Sequence, residues 1–400
     1  MNKHSVIPSE ISGWRTIALG IGGILTIVLL AIAVIFPDQR EQVLRSWLLG
    51  FSFWGGISIG SLGLLLMQYL TGGAWGVIIR RIVEASSRTL LMSFIIFIPL
   101  LLGVSYFYQW AHPNLVPEEL KYRAGYLNPF SWGLRAICYF VIWGIMAFLL
   151  NKWSKRQDET GEFEWFSRMT RFSGPSLVIW VLVVSFAGID WIMSLDQHFY
   201  STIFGLLYVI GWALSALAFT ILILAWLSDR APMDHIVGKK IFHDLGKLML
   251  AMVMIWAYFN FSQFLIIWSG NIPEETKWYL ARMSGAWGAI GLILILFHFA
   301  FPFLLLLSRD LKRNTKWIAI LSIFILVMRV VDTYYFIGPA PMLGAGEHAM
   351  SFHVSWMDFV APVAVGGIWL WWFFGELIKR PLVPINDPFL ENAINHGKGH

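Results

Sequence analysis

The chain has 400 residues, of which 58% are apolar and 13% charged, and its mean hydropathy is +0.66. This composition excludes a soluble globular domain and fits an integral membrane protein. The net charge of +5 implies no nucleic-acid partner, because the basic residues collect on one side of the expected membrane.

Ten apolar runs are long enough to cross a bilayer. The first, Trp14–Phe36, follows a short stretch without a small-residue cleavage site and reads as a retained helix, not a signal peptide. Ser46–Leu70 and Leu90–Phe107 follow, the latter preceded by Glu84 and Arg88. Phe130–Leu150 carries Arg135 and the single cysteine, Cys138. The charged segment from Asn151 to Ser173 reads as a solvated loop before Leu177–Met193, which carries Asp190 near its end. Thr202–Leu227, Leu248–Trp268, Ala286–Leu307, Trp317–Val331 and Val354–Phe374 complete the set. Between the last two, GPAPMLGAGEH (338–348) reads as an irregular lid, and the tail from Pro381 onward as polar and extended.

Lysine and arginine fix the expected orientation. Twenty lie on the side of both termini and six on the other, with Arg135, Lys247 and Arg329 within or at the edge of helices. The positive-inside rule then places both termini in the cytoplasm.

Two outer segments read almost alike. WAHPNLVPEELKY (Trp110 to Tyr122) and WSGNIPEETKWY (Trp268 to Tyr279) share Trp, Asn, Pro-Glu-Glu, Lys and Tyr in order. A similar offset carries Trp132-Gly133 to Trp287-Gly288 and Lys155-Arg156 to Lys312-Arg313. We therefore expect an all-α membrane protein of ten helices containing two parallel-repeat four-helix bundles, helices 2–5 (residues 44–193) and helices 6–9 (residues 200–336). Helices 1 (14–36) and 10 (354–377) would be peripheral and 381–400 a cytoplasmic tail. The competing reading is that both loops begin a helix, since Pro followed by acidic residues is a favourable first turn.

Titratable residues inside such a protein mark candidate proton paths. Phe186 to Gly205 is the densest stretch, with Asp190 a turn inside the outer boundary, Asp196 and His198 in the connection, and Ser201 and Thr202 placed to cap helix 6. Arg329 and Asp332 are three apart and share a helical face, so they can pair. The sequence leaves open whether Arg135 faces Asp190. His298 is the one imidazole deep in a run; it reads as a packing residue or as a proton relay. Pro302, four residues on, frees backbone carbonyls there. Glu84, and the group His243, Asp244 and Lys247, sit at equivalent inner ends, as proton entrances or as ordinary interfacial charge. Glu347, His348, His353 and Asp358 are an expected outer cluster. The 22 Trp and 31 Phe read as interfacial belts and core. A lone thiol and a single deep histidine leave no set of ligands for an iron–sulfur cluster, a CxxCH haem or a di-haem cytochrome b.

DWIMSL-x-x-x-FYSTIFG (Asp190 to Gly205) and FSQFLIIWSGNIPEETKWY (Phe261 to Tyr279), with ten helices in duplicated bundles, resemble the ActF-type NrfD-like integral membrane subunits of bacterial alternative complex III. The resemblance covers nearly the whole chain. It implies a multisubunit quinol:electron-acceptor oxidoreductase in the bacterial cytoplasmic membrane. Its partners would be the sister NrfD-like ActC subunit and the iron–sulfur and multihaem cytochrome subunits. It also implies quinol or menaquinol as substrate and no metal in this chain. The chain's expected contribution is a proton path and scaffold: Glu84 or His243/Asp244/Lys247 inside, His298 midway, Asp190/Arg135 and Asp332/Arg329 outside. A secondary transporter and an inert anchor are the rival readings. Segments 108–130, 269–285 and 332–353 are the surfaces expected to hold the partner arm.

Overall fold

In the computed structural model, residues 9–343 and 352–398 are described. Those residues are helical with no strand, and ten of the helical segments are long and apolar enough to cross a membrane. The chain is a multi-pass membrane protein. The side bearing both termini is called the basic side below.

Helix α1 (Ser9–Ile35) leads through a short turn into α2 (Arg40–Thr71). The third crossing is broken into α3 (Ala74–Ser87) and α4 (Leu90–Leu102). A run of 3-10 turns on the far side, ending in Glu118–Gly125, precedes α5 (Pro129–Thr160) and α6 (Phe163–Trp191). Then come α7 (Phe204–Leu227), α8 (Lys239–Gly270) and a short α9 (Pro273–Met283) on the far side. The eighth crossing is α10 (Gly285–Ile293), a π-helical stretch (Leu294–Ala300) and α11 (Phe301–Leu307). The chain ends with α12 (Arg309–Arg313), α13 (Thr315–Ile337), α14 (Met357–Leu377) and α15 (Leu390–Lys398).

Local chemistry explains the ends. Asn128 Oδ1 accepts the Ser131 amide at 2.8 Å, and Pro129 supplies the first turn of α5 without losing a needed donor. Gly161, at φ +72°, stops α5 in the left-handed region. Asn314 caps α13 by accepting from the amides of Lys316 and Trp317. Pro273 with Glu274 and Glu275 starts α9, as the favourable first turn predicts, and the like segment at Glu118 makes 3-10 turns instead.

Helices α2 and α7 are the almost completely enclosed centre, packed on each other. They cross at Gly60, where a β-carbon would run into the Trp212 carbonyl, so glycine sets the interhelical distance. The remaining helices surround this pair: α6 and α13 each touch both, α14 packs on α2, and α8 on α7. Peripheral α1 packs chiefly on α14 through Gly22, where an added β-carbon would lie 2.7 Å from Gly367 Cα.

Four sequence expectations change. The segment before the third run is not a loop: residues 74–87 are helical and almost wholly buried despite Arg80, Arg81 and Glu84. The charged stretch 151–173 is mostly helix, because α5 and α6 run through it and leave only Gly161 and Glu162 between them. The tail is folded: Leu382 and Val383 are buried, Asp387 pairs with Arg80, and α15 lies against α3 and α8. Ser201 and Thr202 do not cap α7, which begins after Ile203; Ser201 Oγ instead donates to Gln263 Oε1 at 3.0 Å. Of the expected lid and outer cluster, Glu347 and His348 lie outside the described residues.

Candidate functional site

A cavity of about 740 Å³ lies between α8, α9, the eighth crossing and α13. Its walls are largely apolar. Its edges belong to α8 and the eighth crossing, which after α1 are the spans least covered by protein, so it adjoins the lipid phase. Room for it comes partly from Gly288 and Gly291 on the eighth crossing. The π stretch that follows carries one extra residue per turn, a local irregularity that often accompanies function.

Polar groups converge at its two ends. Gln263 on α8, 1% exposed, donates Nε2 to the Tyr279 hydroxyl at 3.1 Å while its Oε1 takes the Ser201 proton. The Tyr279 hydroxyl thus accepts, and keeps its own proton for a ligand. Burial holds that phenol well above its ordinary range. Beside it Arg282, also 1% exposed, stacks on Trp278 at 3.6 Å and donates to the carbonyls of Trp278, Tyr335 and Phe336. Two of these belong to the last turn of α13, a favourable place for a cation. Among the described residues Arg282 has no carboxylate within ion-pair distance; burial pulls its guanidinium down to about 10, partly offset by the more distant Asp196, and it is still a cation at neutral pH.

The deeper end is built on Asp332. Its Oδ2 pairs with Arg329 and accepts from Trp256 Nε1 at 3.2 Å; its Oδ1 has no hydrogen-bond partner among the described residues, and the residue lines the cavity. Arg329 Nε also donates to Ser215 Oγ on α7 at 3.3 Å. The Trp256 ring packs against His298 with centroids 4.2 Å apart and planes tilted by 47°. His298 is fully buried, and neither ring nitrogen has a hydrogen-bond partner. A buried imidazole with both nitrogens unsatisfied is uncommon.

The first half contains a second buried carboxylate. Arg135 Nε and Nη2 hold Asp190 bidentately at 2.8 and 3.1 Å, and Tyr139 donates to Oδ2 at 2.7 Å. Trp132 Nε1 and Ser194 Oγ fix the Asp190 carbonyl. Arg135 stacks on Tyr126 at 3.7 Å, and burial beside Asp190 pushes the Tyr126 phenol up to about 12. There Phe51, Phe97, Phe140, Trp143 and Trp191 interlock with centroids 4.7–6.3 Å apart.

On the basic side Glu84 is fully buried in an ion cluster. It accepts from Arg81 at 2.7 Å and Ser154 at 2.5 Å, with Arg380 of the tail at 3.3 Å; Arg81 also pairs with Asp158. Arg88 bridges Asn151 and Glu376. Glu84 is therefore no open entrance. Asp244 accepts from His396 of α15 at 2.7 Å and from Lys247 at 3.4 Å, with His243 half-buried beside them. From Lys247 to Trp256 the helix rises about 13 Å, and Met249, Met252 and Val253 on that stretch are buried and apolar. No chain of side-chain hydrogen bonds links this group to His298. Asp196 Oδ1 accepts the amides of His198 and Phe199, which is turn chemistry.

The structure thus unites Arg135 with Asp190, and Arg329, Asp332 and His298 around Trp256. Sequence does not mark Gln263, Tyr279 and Arg282 as a group: Gln263 is a lone amide in an apolar run, and Tyr279 and Arg282 fall in the outer segment 269–285 between two crossings. The available signal was the spacing of Trp278 and Arg282, four apart behind a Pro-Glu-Glu helix start. The chain matches no family model and no curated protein.

Proposed function

We propose that the chain is a membrane subunit of a quinol-oxidising electron-transfer complex of the alternative complex III kind, with both termini cytoplasmic. Its second half offers a quinone-type ring a site reached from the lipid phase. The observation that carries this is the cavity itself: apolar walls, an uncompensated Arg282 and the Tyr279 phenol at one end, and an unpartnered Asp332 Oδ1 at the other. Such convergence of few polar groups in a largely apolar pocket is the usual form of a small-molecule site. Arg282 and Tyr279 donate to one ring oxygen. Oxidation of a quinol releases two electrons, which pass to iron–sulfur or haem carriers of partner subunits, and two protons: Asp332 Oδ1 accepts one, and the other leaves the ring oxygen held by Arg282 and Tyr279 to water on the far side. Trp256 is a positioning residue that orients Asp332 and packs against His298.

The helix packing supports a duplicated origin. Helix α2 packs on α6 and α7 on α13, while α7 also meets α6 and α2 meets α13. Aligning Trp132 with Trp287 sets Trp143 against His298, so aromatic rings fill in the first half what stays open in the second.

The test uses the assembled complex with Arg282→Gln or Asp332→Asn. Losing one charge-assisted bond, about 1.5–3 kcal/mol, raises the quinol KM about 10- to 100-fold for Arg282→Gln, whereas Asp332→Asn lowers kcat. Wild-type behaviour of both variants in an intact complex would remove the site and leave the subunit assignment standing. Purification as a lone, cofactor-free oligomer with substrate-dependent uptake would instead favour a secondary transporter. That rival predicts broken helices around a midplane site. The α3–α4 break exists, but Ser58 fills it, bonding Thr89 at 2.5 Å and Ser93 at 2.9 Å.

A further inference from the structure

On the basic side, a second concavity of about 810 Å³ lies where α7 ends and α8, α12 and α13 begin, away from the quinone cavity. Lys239, Arg313 and Lys316 line it, and among the described residues none of the three makes an ion pair within 4 Å. The Nε of Arg313 is buried without a hydrogen-bond partner. Asp229 and Asp310 share the rim, so three cations against two carboxylates leave one net positive charge. Trp226 forms part of the wall at the level where indoles favour the membrane interface. Below the charges the lining turns aliphatic through Leu222, Ala225 and Ala319. Charge at the mouth, an interfacial indole and an apolar continuation toward the membrane are the features of a lipid seat, since basic pockets between crossings on this side recognise phosphate headgroups.

We infer that this concavity binds a phospholipid carrying one phosphodiester and no amine, its phosphate on Arg313, Lys316 and Lys239 and an acyl chain along the aliphatic wall. The single net charge decides the class. A mono-anionic headgroup neutralises the site, a two-phosphate headgroup over-fills it, and a zwitterionic one leaves it charged.

The test is native mass spectrometry of the full chain in detergent, with phosphatidylglycerol, phosphatidylethanolamine, cardiolipin or inorganic phosphate added. The expected result is preferential retention of phosphatidylglycerol, reduced at least 10-fold in Arg313→Gln/Lys316→Gln with phosphatidylethanolamine retention unchanged. Lys239→Gln, at the rim, gives a smaller loss in the same direction should the double variant not fold. Equal retention of phosphatidylethanolamine, preference for cardiolipin, or displacement of the lipid by inorganic phosphate would each overturn the assignment.

Discussion

The Arg135–Asp190 pair permits a prediction in which direction and size both follow from geometry. Asp190 is fully buried, whereas the Arg135 side chain keeps 19% of its exposure. Replacing Arg135 with Met strands a carboxylate inside the protein with Tyr139 as its remaining side-chain donor, and removing one partner of a buried pair costs about 3–5 kcal/mol. Replacing Asp190 with Asn is milder. Arg135 retains the Tyr126 carbonyl and Ser131 Oγ, at 2.8 and 2.9 Å, and its stacking on Tyr126, so the loss is that of one charge-assisted interaction, about 1.5–3 kcal/mol. Arg135→Met with Asp190→Leu removes both charges and costs about 0–2 kcal/mol, because apolar replacement of a buried pair is often neutral. The order is therefore Arg135→Met, then Asp190→Asn, then the double variant. Unfolding by SDS titration in mixed micelles measures all three on one scale. A double variant no more stable than Arg135→Met alone would show that the stranded carboxylate is not the source of the loss, and would refute the reasoning. Proton release by the assembled complex adds a second readout: if Asp190→Asn leaves it unchanged, the pair is a structural strut and not part of a path.

Three further predictions concern other parts of the molecule. Gly60→Ala, which drives a methyl into the Trp212 carbonyl, lowers the melting temperature through about 1–3 kcal/mol of overpacking. Gly144→Ala, with nothing within 4 Å of its new methyl, raises it by gaining up to about 1 kcal/mol of helix propensity; shifts of equal sign would contradict the α2–α7 crossing. Asp387→Asn leaves Arg80 fully buried, its guanidinium 5.0 Å from the Tyr69 ring centroid, and destabilises by about 3–5 kcal/mol in the same SDS titration. Trp256→Phe removes the indole donor to Asp332 but keeps an aromatic ring beside His298; on the quinol-site reading proposed above, kcat falls about 5- to 10-fold with the quinol KM unchanged, read from steady-state kinetics of the complex.

The ten crossings were legible because each lies on a long apolar run with few charges. Their ends were less so, because burial is not local information. Helix α3 carries Arg80, Arg81 and Glu84, which lower its hydropathy; what buries it is Asp387, Arg380 and Glu376, some 300 residues later in the chain. The Arg329–Asp332 pair could be read from spacing within one helix, whereas Arg135 and Asp190 sit on separate helices whose rotation no single sequence reveals. Arg282 escaped for a related reason. It lies on a helix too short and polar to register as a crossing, and its significance comes from α13 folding over it.

The seating of α1 on α14 has a consequence for synthesis. The first crossing leaves the ribosome roughly 350 residues before its main neighbour, a delay of roughly 20–70 s at ~5–20 residues per second. During that interval α1 stands in lipid with little more than α2 beside it. It is the most apolar of the ten crossings, which suits a segment that must persist alone. Closure of Gly22 onto Gly367 is then a late event, and chains truncated before α14 would leave the first helix unattached.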